Sequence, residues 1–127
     1  MPKVQKEKKE EYVKPANTFI GQGATFRAQR LSGSESVRID GYFIGDVHLE
    51  GALQIGEPGY IEGNIQVSYA LIAGEVKGNI MCRATIHLSS TARVHGDIST
   101  GRIIIDDGAV FCGYCKTRDD DPEIVVV

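Results

Sequence analysis

The sequence predicts an all-β fold, a single-domain parallel β-helix (a β-solenoid) of triangular coils, each roughly 15–18 residues long. Two observations predict it. First, five segments share the frame apolar, any, Gly, any, apolar: Phe43–Val47, Ile61–Ile65, Val76–Ile80, Val94–Ile98 and Phe111–Cys115. Their glycines lie 18, 15, 18 and 17 residues apart. Second, Gly is abundant at 15 of 127 residues, Trp is absent, and Val and Ile outnumber the helix formers, as strands divided by tight corners require. One such coil cannot bury its apolar side alone. The coils must stack, which makes a rod with two sheet ends.

Taken in order, residues 1–17 form the first region. Lys3, Lys6, Lys8, Lys9 and Lys14 stand against Glu7, Glu10 and Glu11 with almost no apolar content, so a disordered polar tail is expected. Lys6, Lys8 and Lys9 are its candidate contacts to a partner protein or an anionic membrane. Without Trp, Phe or Leu beside them they make a weak lipid anchor.

The wound domain is placed at residues 18–116. Phe19-Ile20-Gly21 and Phe26 suggest a starting turn, and Gln29 to Ser36 reads as a polar loop before Val37-Arg38-Ile39. Side chains alternate along a strand, so residues of one parity around each glycine should face inward. This puts Phe43, Val47, Ile61, Ile65, Val76, Ile80, Val94, Ile98, Phe111 and Cys115 in the core. A second strand per coil is expected at Leu53/Ile55, Leu71/Ala73, Ile86/Leu88 and Ile103/Ile105. Gly56-Glu57-Pro58-Gly59, Ser89-Ser90 and Asp106-Asp107-Gly108 read as corners. The 15-residue step is ascribed to a shortened corner at Ala73-Gly74. Asp119-Asp120-Asp121-Pro122 is expected to end the sheet, which leaves residues 117–127 as a tail. Within that tail Ile124–Val127 is strand-prone; it either folds back on the body or is a short docking peptide.

Columns across the coils support this register. One residue before each glycine the column reads Ile44, Glu62, Lys77, His95, Cys112; three before, Tyr42, Tyr60, Glu75, Arg93, Val110. One after, it reads Asp46, Asn64, Asn79, Asp97, Tyr114, which separates two carboxylates by an amide pair. Adjacent strands reward such neighbours by about 0.2–1 kcal/mol each and penalise like charges placed opposite.

Several function classes are excluded. The net charge of −3 is mild and interspersed, so no basic stripe for nucleic acid is present. Three cysteines behind a charged start, Met1 to Lys14, point to a reduced cytosolic compartment, and no apolar run approaches the ~20 residues of a spanning helix. The alternative weighed is a left-handed hexapeptide β-helix, an acyltransferase or a metal enzyme. A hexad does run through Phe43, Leu49, Ile55, Ile61, Val67 and Ala73. That pattern wants small residues four positions after each apolar one, where Val47, Leu53, Gly59, Ile65 and Leu71 stand, mostly large. His48, His87 and His95 fall in different columns, so a convergent metal site is not expected. Cys112-x-x-Cys115 should send its two thiols to opposite faces, Cys112 outward and Cys115 to the core. With no phosphate loop and no Ser/His/Asp set, the chain is read as neither an enzyme nor a cofactor binder.

The run Val37-Arg38-Ile39-Asp40-Gly41, the Gly-Asn-Ile and Gly-Asp-Ile repeats, and the closing Asp107–Gly113 resemble the bactofilins. The resemblance covers about Thr18 to Lys116. It implies a right-handed helix that polymerises end to end without nucleotide into non-polar filaments. It also implies a cytoplasmic cytoskeletal scaffold, placed at the inner face of the cell membrane, for cell-shape, cell-wall or polarity proteins. The start of this chain lacks the short apolar membrane-targeting stretch of many members. Bottom-up, a parallel coil ends in strands whose polar groups lack a partner along the axis, and such edges invite another chain. The expected polymer surfaces are therefore Val110, Phe111, Gly113 and Cys115 at the C-terminal end, and Phe19, Ile20 and Phe26 at the N-terminal end. A third reading, a monomeric adaptor that binds through its tails, has the same fold.

Overall fold

Every described strand pair is parallel, because the chain never doubles back: it crosses a face, turns a corner and returns one rung higher. The structure is a computed structural model that describes residues 18–117 and 124–126. The chain enters through β1 (Thr18–Ile20), β2 (Thr25–Gly33), β3 (Val37–Ile39), β4 (Tyr42–Leu49) and β5 (Ala52–Ile55). It continues as β6 (Tyr60–Glu62), β7 (Ile65–Ile72), β8 (Glu75–Lys77), β9 (Ile80–Leu88) and β10 (Arg93–His95). It closes with β11 (Ile98–Ile105), β12 (Val110–Cys112), β13 (Cys115–Thr117) and β14 (Ile124–Val126). The result is an all-β solenoid of about six turns, with no helix among the described residues.

Three faces follow from the pairing. The first stacks the starts of β2 and β4 with β6, β8, β10 and β12. The second stacks the ends of β2 and β4, the starts of β7, β9 and β11, and β13. The third runs β1, β3, β5, the ends of β7, β9 and β11, and β14.

The predicted inward parity holds around all five glycines. Phe43, Ile61, Val76 and Val94 form one column with no exposed surface, and Val47, Ile65, Ile80 and Ile98 another that is almost as dry. Each such side chain is worth about 1.5–3 kcal/mol against exposure. The end residues differ: Phe26, Phe111 and Cys115 occupy the same columns but keep open surface, because among the described residues each has a rung on one side only.

Three expectations need correction. In the second strand of the third coil the inward residues are Ala70 and Ile72, not Leu71 and Ala73; Leu71 faces out. The cause is the corner before it, where Ser68 alone stands opposite Glu50-Gly51 below and Arg83-Ala84 above. That missing residue, together with the two-residue corner Ala73-Gly74, makes the 15-residue step. The stretch Gln29–Ser36 is not a loop throughout: Arg30–Gly33 completes β2 and pairs with Asp46–Leu49. Nor does the sheet end at Asp119–Pro122, since Ile124–Val126 pairs with Ile103–Ile105. The C-terminal stretch folds back on the body.

Candidate assembly surfaces

What holds one rung to the next also shows what is missing at the ends. Gly45, Gly63, Gly78, Gly96 and Gly113 all carry positive φ, between 142° and 149°. A Cβ on any of them would strike a backbone carbonyl one rung back: that of Ala28 for Gly45, of Gly45 for Gly63, and so on up to Gly96 for Gly113. Only glycine allows the rungs to close up here. In the first coil Ala28 and Gln29 stand opposite the glycine, so the column has no N-terminal member.

Beside it runs a second ladder. Asp46 Oδ1 accepts the N–H of Asn64 at 3.0 Å, Asn64 Oδ1 that of Asn79 at 3.3 Å, Asn79 Oδ1 that of Asp97 at 3.0 Å, and Asp97 Oδ1 that of Tyr114 at 3.1 Å. The sequence showed this column as a charge pattern. Its real work is to bind the corner N–H groups, which the turned backbone cannot offer to a strand. Four consecutive Asx residues after a glycine are the signal that could have revealed it. The ladder stops at Tyr114, whose side chain offers no carboxylate or amide acceptor.

At the N-terminal end Ile20 and Phe26 are inward, in register with Ile39 and Phe43, whereas Phe19 lies opposite Arg38 on the outer surface and is 65% exposed. The Phe26 ring packs on Phe43 at 5.8 Å between centroids yet remains 47% exposed. Leu31, which the sequence did not single out, joins Ile20 as a partly covered core residue.

At the C-terminal end Phe111 and Cys115 are inward and half-buried, Val110 faces out, and Gly113 turns the corner between β12 and β13. Backbone polarity completes this surface. Val110 donates its N–H to Ala92 and Cys112 accepts from Gly96, so both point back into the body. Alternation in a parallel ladder then leaves the N–H and C=O of Phe111 facing the open end. The same alternation from Tyr114, which accepts from Ile98, leaves the polar groups of Cys115 and Thr117 facing outward along the axis. Burial pushes the Cys115 thiol above the usual range, which disfavours its thiolate. Cys112 is exposed on the opposite side of the sheet.

The sides of the rod hold no convergent chemistry among the described residues. His87 pairs with Asp106 at 3.0 Å on the third face, and His95 lies 3.9 Å from Glu75 on the first. His48 sits on the second face. Tyr42 and Tyr60 pack at 5.1 Å as their column predicts. Tyr60 donates to Glu62 at 3.0 Å, and burial followed by the Glu62 carboxylate raises its pKa. Lys77, in register with Glu62, reaches over the Tyr60 ring at 5.9 Å. Lys6, Lys8 and Lys9 lie outside the described residues.

Residues 18–116 match the family described as "Bactofilin: Polymer-forming cytoskeletal". Two curated proteins of Myxococcus xanthus (strain DK1622) are similar to the chain. Bactofilin BacO is 38% identical over 98 residues, which span 77% of either protein. Bactofilin BacP is 33% identical over 106 residues, 84% of this chain but 44% of the longer relative. No solved structure matches the chain.

Proposed function

The chain belongs to the bactofilin family of polymer-forming cytoskeletal proteins, and from that premise we propose that its rods join end to end into filaments that need no nucleotide. The observation that carries this reading is the uncovered core at both ends. Phe26 and Phe111 continue buried columns yet meet no further rung among the described residues, and burying such a ring against a second copy is worth about 1.5–3 kcal/mol.

The same surfaces favour like ends, hence filaments without polarity. Backbone edges alone would accept either partner; the side-chain columns discriminate. If an N-terminal coil continued a C-terminal one, Ala28 would stand over the Gly113 carbonyl, where every other member of the column is glycine. The incoming corner N–H would meet Tyr114 instead of an Asx oxygen. A two-fold joint avoids both conflicts, because each surface then meets its own copy. Across it β12 pairs antiparallel with β12 of the second molecule, and the two Phe111 residues exchange N–H···O bonds.

The filament acts as a non-enzymatic cytoplasmic scaffold at the inner face of the membrane, with itself and cell-shape, cell-wall or polarity proteins as partners. Residues 18–116 are the assembling body, and Lys6, Lys8 and Lys9 are the tail contacts. Electron microscopy of purified protein in chelator, without nucleotide, tests the reading. Filaments with two-fold axes across the rod are expected; compact particles, or filaments that appear only with nucleotide, contradict it.

A further inference from the structure

The family match stops at residue 116, yet the fold does not. Strand β14 lies on the third face, in register with Ile103–Ile105, one rung beyond the last full coil. With β12 on the first face and β13 on the second, it closes the terminal turn as a three-sided ring. Among the described residues all three strands have a neighbour on one edge only. By register the chain is also longer here: two or three residues lie between Val67 and Ala70, Cys82 and Ile86, and Thr100 and Ile103, whereas six lie between their counterparts Thr117 and Ile124.

We infer that β14 is the third side of the joint and pairs with β13 of a second copy of this chain. The inference rests on the like-end reading above. A two-fold axis crossing the rod through the middle of the first face maps that face onto itself and reverses it. It must also exchange the second and third faces. β12 then meets its own copy, while β13 of each molecule meets β14 of the other, antiparallel. Their open groups agree. Val125 is in register with Ile104 and uses its N–H and C=O on β11, so alternation leaves those of Ile124 and Val126 on the free edge. Without β14 the joint would have two sides, and β13 would have nothing to pair with.

Proline on the free edge tests this in the full chain. Ile124→Pro removes an N–H that faces the second copy and none that bonds β11, a substitution an edge strand tolerates. The expected result is a folded protein whose critical concentration for assembly rises at least tenfold; assembly at the unchanged concentration overturns the inference. A second measurement does not depend on how the proline is tolerated. A photo-crosslinker at Val125, in filaments mixed from ¹⁵N-labelled and unlabelled chains, should be captured by Cys115–Thr117 of the other copy. Capture confined to its own chain overturns the inference while β12–β12 cross-links from Phe111 leave the like-end joint standing. Capture by Thr18–Gly33 overturns both, as does an unmodified full chain that forms no filaments.

Discussion

The carbonyl oxygen of Gly63 lies where a side chain on Gly78 would begin. Gly78 also holds a φ of 147°, which L residues rarely adopt. Gly78→Ala should therefore cost about 1–3 kcal/mol from backbone strain alone, and more as the two rungs are forced apart. Gly21→Ala is the control: nothing lies within 4 Å of the place its Cβ would take and its φ is ordinary, so a change within about 0.5 kcal/mol is expected. Urea midpoints of the two variants check the contrast. Equal midpoints would mean the corner relaxes freely.

The Asx ladder predicts a different signature. Asn79→Ala removes the acceptor for the Asp97 N–H and should cost about 0.5–1.5 kcal/mol at any salt concentration. Asn79→Asp keeps an acceptor but sets a second carboxylate beside Asp97, so its loss should shrink as salt screens the pair. Urea unfolding in low and high salt separates the two. A salt-independent Asn79→Asp would remove like-charge contact as the reason for the amide pair.

Much of this was legible before the structure. The glycine frames set the inward parity on the first two faces because a glycine corner locks phase on both of its sides. Phase was lost where no glycine restored it. A single residue at Ser68 shifted Leu71 outward, since corner length cannot be read from alternation. Arg30–Gly33 was hidden because a terminal rung buries only Leu31, too little to show a period of two. The strand Ile124–Val126 was legible only as one of two readings, because proline and acidic residues end local pairing but not a chain's return to its own edge. The Asx bonds were missed for another reason: the recurring Asx positions show in the sequence, but that each side chain binds a backbone N–H one coil away does not.

Thiol chemistry should report the surface at the C-terminal end. In disassembled protein Cys112, which is exposed, should alkylate before Cys115. The Cys115 rate should keep rising to a higher pH than an unperturbed thiol, because burial raises its pKa and only the thiolate reacts. Assembly should protect Cys115 further. Iodoacetamide labelling followed by mass spectrometry checks both points, and equal labelling of Cys115 in polymer and monomer would place the joint elsewhere.

Removal of residues 1–14 should leave sedimentation of polymers unchanged in chelator without nucleotide, while the cellular position of the protein shifts if Lys6, Lys8 and Lys9 make its contacts. Pelleting assays of the two proteins decide the first half. A truncated protein that stays wholly in the supernatant would put the tail in the assembly surface.

Assembly through the C-terminal end is tested most directly by Phe111→Arg. The ring is half-buried on Val94, and among the described residues its other side is open at the end of the rod. A guanidinium there can reach solvent in the monomer but would be desolvated or would hold two ends apart in a filament. Analytical ultracentrifugation with far-UV circular dichroism is the measurement. A strand-rich monomer, or a dimer joined through the other end, is expected. Normal filaments would contradict it.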